Sequence, residues 1–155
     1  MNRPTPAPQG SARPAQAPQG SAWPAVAVHG LDDAETALAP GLPVTLISAT
    51  GAAGFAGVGW WLAVIKAARA AYPVSPCTDI LDCAAAPGFA MAALRMGQRR
   101  LVLWPGPAFA AVSAAAATLG GEVLAARPNS LDLSRRGGRR DLAAYLAAPC
   151  RRSDP

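Results

Sequence analysis

Apolar positions in this chain come in short, dense runs separated by small-residue turns, with longer Ala-rich stretches between the runs. Val26-Ala27-Val28, Val44 to Ala49, Thr78 to Cys83, Arg100 to Trp104 and Glu122 to Ala126 are the short runs. Near-continuous apolar runs of this length suit strands buried on both faces of a parallel sheet. The stretches between them carry helix punctuation. Asp32-Asp33-Ala34-Glu35 opens a helix to about Ala39, with acidic residues at the positive end of its dipole. A helix is predicted from about Gly54 to Tyr72, where Pro73 and Pro76 end it. Pro87 starts another that stops after Met96 at Gly97, Pro107 starts one that ends at Gly120-Gly121, and Asp141 to Ala148 forms a terminal helix. Strands alternating with helices imply right-handed βαβ units. The predicted fold is α/β: a three-layer α/β/α sandwich, Rossmann-like or flavodoxin-like, with four or five mostly parallel strands.

The pattern does not begin at once. Ala7-Pro8-Gln9-Gly10-Ser11-Ala12 recurs as Ala17-Pro18-Gln19-Gly20-Ser21-Ala22, too poor in apolar side chains to repay the entropy of ordering. Residues 1–24 are therefore expected to be a disordered Pro/Gln/Gly/Ser-rich tail, residues 25–148 one α/β domain, and residues 149–155 a basic disordered C-terminal tail. A length of 155 residues fits one domain with a sizeable core. The formal charge is +5, yet 15% of residues are charged and every basic residue but Lys66 is Arg. That composition reads as a codon bias rather than a nucleic-acid surface, and Arg135, Arg136, Arg139, Arg140, Arg151 and Arg152 read as a solvated C-terminal cluster. Cys77, Cys83 and Cys150 form neither a disulfide framework nor a zinc set with the single His29. No apolar leader is expected at the N-terminus, and the cysteine usage points to the reducing cytoplasm. Val44 to Ile65 lacks a charge for twenty-two positions, long enough for a membrane span. We read it instead as strand plus helix, because the later βα units need that strand.

Chemistry enters where the second strand runs into Thr50-Gly51-Ala52-Ala53-Gly54-Phe55-Ala56-Gly57. Strand, glycine-rich turn and helix start together form an anion cradle, with unpaired N–H groups and a positive dipole end. The spacing Thr50-Gly51-x-x-Gly54-x-x-Gly57 resembles the fingerprint of the extended short-chain dehydrogenase/reductase family, over Val44 to about Leu62. The resemblance implies a Rossmann fold binding NAD(P) or another nucleotide. Gly51 would permit the tight turn, Gly54 the approach of the pyrophosphate, and Gly57 close packing of helix on strand. The family's Tyr-x-x-x-Lys pair is missing, since Pro73 follows Tyr72 and no lysine follows Tyr145. The ribose-binding acid has a counterpart in Asp82, thirty-one residues after Gly51.

In a parallel sheet, strand C-terminal ends share one edge, and ligands bind there. That edge is expected to gather His29, Ser48, Thr50 with the Gly51–Gly57 loop, Asp82, Cys83, Trp104, and Arg127 to Asn129. Ser48, Thr50, the three glycines, Asp82, Trp104 and Asn129 form the candidate ligand set. Asp82 and Cys83 are the candidates for catalysis, although a free cysteine is usually a small buried apolar residue. Asp79 is expected to face the solvent or the sheet end. Trp60 and Trp61 point about 100° apart on a helix, so one belongs to the core. The other is free for stacking or for contact with a second copy of the chain. His29 reads as a loop histidine without a carboxylate or metal partner nearby in sequence.

Two function classes stay open on these grounds. One is a small protein binding a nucleotide or phosphorylated small molecule at the Gly51–Gly57 loop. The alternative is a non-catalytic accessory protein acting through partner contacts or oligomerisation. A small anionic ligand is the expected partner, whereas nucleic acid and membrane are not.

Overall fold

The computed structural model describes residues 23–148. The N-terminal repeat and the C-terminal tail with Cys150, Arg151 and Arg152 lie outside the described residues. The chain forms β1 (Ala25–Val28), α1 (Leu31–Leu38), β2 (Val44–Ser48), α2 (Ala52–Phe55), α3 (Val58–Ala71) and β3 (Cys77–Asp82). It continues with α4 (Pro87–Arg95), β4 (Arg100–Val102), α5 (Phe109–Thr118), β5 (Glu122–Leu124), β6 (Ser130–Asp132) and α6 (Gly138–Ala147). The strands make one six-stranded sheet in the order β5-β4-β3-β2-β1-β6, and every pairing is parallel. The α/β sandwich read from the sequence is therefore present, with one strand more than the four or five expected. Its start reaches back to Pro24, whose carbonyl accepts from the Thr45 N–H.

The strand order explains the packing. From β1 to β5 each crossover steps in the same direction, and right-handed crossovers then deliver their helices to the same face. Accordingly, Val26, Val28, Leu46, Leu81 and Leu101 join Leu38, Trp61, Ile65, Leu94, Val112 and Leu146 in one core cluster. The opposite pleat carries Ala27, Ile47, Ile80 and Val102, with Leu124 against them. Residues 125–129 leave β5 at one edge and reach β6 at the other. So short a connection must run nearly straight across the sheet. Arg127, in its middle, touches Asp82 and Ser48. This strap puts β6 beside β1 and so reverses the direction of the sheet there.

Two details differ from the sequence reading. The helix expected over 54–72 is two helices, because Gly57 takes a φ of 91° between α2 and α3. A helix cannot pass through that conformation. Asp79 turns to the helical face rather than outward. It accepts from Trp61 Nε1 at 3.2 Å, Arg69 at 2.7 Å and Gln98 at 2.8 Å. Trp61 is the core member of its pair, fully buried, while the half-buried Trp60 ring lies 6.2 Å from it. Among the described residues no helix is long and apolar enough to cross a membrane.

Candidate functional site

Asp82 ends β3 and is fully buried. Its Oδ1 accepts from the backbone N–H groups of Gly51 at 2.9 Å and Ala84 at 2.8 Å, and its Oδ2 meets Arg127 Nη1 at 2.5 Å. The Ser48 hydroxyl accepts from the Asp82 N–H and donates to the Ala49 carbonyl. Ser48 and Asp82 are thus tied into a knot joining the ends of β2 and β3. The consequence for the glycine-rich turn is direct. The N–H at Gly51, which a ligand phosphate would need, already serves the chain's own carboxyl group.

Two of the three glycines do different work from what the resemblance implies. Gly51 does permit a tight turn, with φ 70°. Gly57 has no atom within 4 Å of where a β-carbon would stand, so its φ of 91° and not close packing requires glycine. Gly54 is exposed, and a β-carbon there would make only ordinary contact with Phe89, at 3.7 Å. Helix α2 has four residues, too short to develop a useful dipole. The cradle expected on the sequence is therefore divided by Gly57 and partly filled by Asp82.

The open space lies next to it. A cleft of about 510 Å³ is lined by Ala27, Thr50, Arg127, Ser130, Leu131, Asp132, Arg135, Arg136, Gly138 and Asp141. The strand order reverses at β1 and β6, and the cleft sits at that switch point, with α1 and α6 following on the same face of the sheet. Three arginines are among its lining residues. Arg127 is committed to Asp82 and to the Ser48 carbonyl. Arg135 stands 3.9 Å from Asp132 and is mostly exposed. Arg136 makes no hydrogen bond or ion pair among the described residues. The carboxylates of the cleft have partners of their own. Asp141 takes Arg140 at 3.2 Å. Asp132 accepts from the Ser134 hydroxyl at 2.7 Å and from its N–H, and its Oδ1 lies 2.9 Å from His29 Nε2. Burial opposes ionisation of Asp132, but these hydrogen bonds and His29 prevail and hold its carboxyl below the usual range.

Two residues absent from the candidate set, Arg135 and Arg136, thus line the site. Thr50 lines the cleft and is exposed. Asn129 is exposed on the strap next to it. Trp104 stands apart, on a second, apolar cavity at the end of β4. His29 reaches the rim, and its carboxylate partner comes from 103 residues away. The arginines were visible as a run, but only the placement of β6 reveals what they face.

Cys83 is buried, and burial together with the neighbouring Asp82 charge pushes its thiol up to about 12. It is a thiol, not a thiolate, near neutral pH, which removes the nucleophile that the sequence offered. Alkylation at pH 8 followed by peptide mapping is expected to leave Cys83 unmodified until denaturant is added. The same raised value means that stability falls as pH climbs from about 9 to about 12, because the unfolded thiol ionises there and the buried one does not. Replacement of Cys83 by Ala should flatten that slope. Equal labelling of Cys83 in native and unfolded protein would contradict the burial.

Comparison with protein-family models, with curated proteins and with solved structures finds no match for this chain.

Proposed function

We propose that the protein binds a phosphorylated small molecule in the cleft beside β6, with Thr50, Arg127, Arg135 and Arg136 receiving the anion. The observation that carries this reading is Arg136 beside Arg135 in a concave site at the switch point, with no partner among the described residues. Guanidinium groups present a planar fork of donors that matches phosphate oxygens. The anion site thereby moves from the Gly51–Gly57 turn to the cleft beside it, since Asp82 already uses the Gly51 N–H. The two free thiols among the described residues, Cys77 and Cys83, suit the reducing cytoplasm as its compartment.

A thermal-shift screen with pyrophosphate and sugar phosphates tests the proposal. A ligand at 100 times its dissociation constant adds about 2.7 kcal/mol of stability, a readily measured rise in Tm. Arg136→Ala should abolish most of that rise while leaving the unliganded Tm nearly unchanged. No rise with any phosphorylated compound would reject the reading.

The accessory-protein reading has one observation in its favour. Phe55 is 72% exposed on α2, and Gly54 beside it faces Phe89, itself 44% exposed. Two exposed phenylalanines on either side of Gly54 suit contact with another protein. Trp61 has no part in it, being fully buried, and Trp60 leans on Trp61.

A further inference from the structure

We infer that the phosphorylated ligand of the arginine cleft is a sugar or other polyol, whose hydroxyl groups donate to Asp132 and Asp141; this rests on the anion-binding reading above. Both carboxylates line the same cleft as the arginines. Arg127 is held by Asp82, so its charge is already balanced within the protein. The other charged lining residues are two cations, Arg135 and Arg136, and two anions, Asp132 and Asp141. A bare pyrophosphate meets the cations but is opposed by the carboxylates, and so binds as a partial ligand. A molecule with its charge at one end and neutral donors along the rest meets both halves.

The two carboxylates have acceptors to spare. An ionised carboxylate accepts at both oxygens and donates at neither. Asp132 stays ionised near neutral pH. Its Oδ1 serves the Ser134 hydroxyl, the Ser134 N–H and His29. Its Oδ2 has only Arg135, at 3.9 Å, which is beyond hydrogen-bond reach. Three partners on one oxygen hold the group still, so little side-chain freedom is left to lose when a ligand takes the other. Asp141 Oδ1 accepts from Arg140 at 3.2 Å, and its Oδ2 accepts from nothing among the described residues.

The neighbours of these oxygens select the donor. An ammonium group on Asp132 Oδ2 would stand beside the Arg135 guanidinium, a like charge. A hydroxyl group donates to the carboxylate and accepts from the guanidinium, so it suits the place where those two side chains lie 3.9 Å apart. Thr50 and Ser130 add hydroxyl groups of the protein's own to the lining. No aromatic ring is among the described residues that line the cleft, so a flat apolar group has no face there to stack on. The volume of about 510 Å³ is that of an ordinary small-molecule site.

Calorimetric titration of the full-length protein tests the inference. The probes are glycerol 3-phosphate, ribose 5-phosphate and glucose 6-phosphate, set against ethyl phosphate, which has the same charge and no hydroxyl group, and phosphoethanolamine. At least one of the three polyol phosphates should bind about tenfold or more tightly than ethyl phosphate, the worth of one hydrogen bond to a charged group. Asp132→Asn and Asp141→Ala should each shrink that advantage and together erase it, while ethyl phosphate binds no more weakly. Equal affinities for ethyl phosphate and all three polyol phosphates, or an advantage that survives both substitutions, would overturn the hydroxyl contacts while leaving the anion site standing. Tighter binding of phosphoethanolamine than of every polyol phosphate would overturn them in favour of an amine. Failure of all five compounds to bind would overturn the anion site as well. A Tm for each variant verifies that the fold persists.

Discussion

Arg127→Ala is expected to cost about 3–5 kcal/mol of folding stability, because it leaves a fully buried carboxyl group without its cation. Asp82 would keep the Gly51 and Ala84 N–H groups, but nothing else would balance it. The strap would also lose its hold on the Ser48 carbonyl. Adding Asp82→Asn to Arg127→Ala removes the unbalanced charge. The amide oxygen still accepts from both backbone donors, so the double variant should be more stable than Arg127→Ala alone. Chemical denaturation of the two single variants and the double variant completes the cycle. Additive losses would mean that the pair is not coupled and that the strap is held by something else.

A second large loss is expected from Gly138→Ala, on the order of 3 kcal/mol. A β-carbon at Gly138 would stand within van der Waals exclusion of the Asp132 carbonyl, and 3.2 Å from Leu133 Cα. Both obstacles are backbone, so α6 must move away from β6, and with it the cleft wall that carries Arg135 and Arg136. Gly54→Ala makes the contrast. Its new methyl would meet only the Phe89 ring, at 3.7 Å, and should cost less than about 1 kcal/mol. Thermal melts of the two variants side by side decide the matter. A reversed order would mean that the fingerprint glycine, not the one under β6, sets the geometry of this edge.

The elements most legible in the sequence were those whose own residues decide them. Val44 to Ser48 and the run through Ile80 and Leu81 are apolar enough to be read as central strands. Pro87 announced α4 from its first position. What stayed hidden depends on residues far apart. Ser130-Leu131-Asp132 is three residues long with polar ends, and only pairing with β1 makes it a strand. Without β6 there is no switch point, and Arg135 and Arg136 read as a solvated run. The glycine fingerprint was legible as a turn but not as a broken helix, because the φ of Gly57 cannot be read from spacing. The Asp82 knot is formed by three chain segments, and the sequence placed all of them at one edge without showing that they satisfy one another. The inward turn of Asp79 is not legible along β3, because its partners Arg69 and Gln98 come from α3 and from the loop before β4.

The central claim is that an anion binds at the switch point and not on the glycine turn. Amide chemical-shift mapping during a pyrophosphate titration tests this most directly. Saturable shifts are predicted for Thr50, Arg127, Ser130 to Asp132 and Arg135 to Gly138. Gly54, Phe55 and Gly57 should move little. Saturable shifts centred on Gly51 to Gly57, with Arg135 and Arg136 unmoved, would contradict the account.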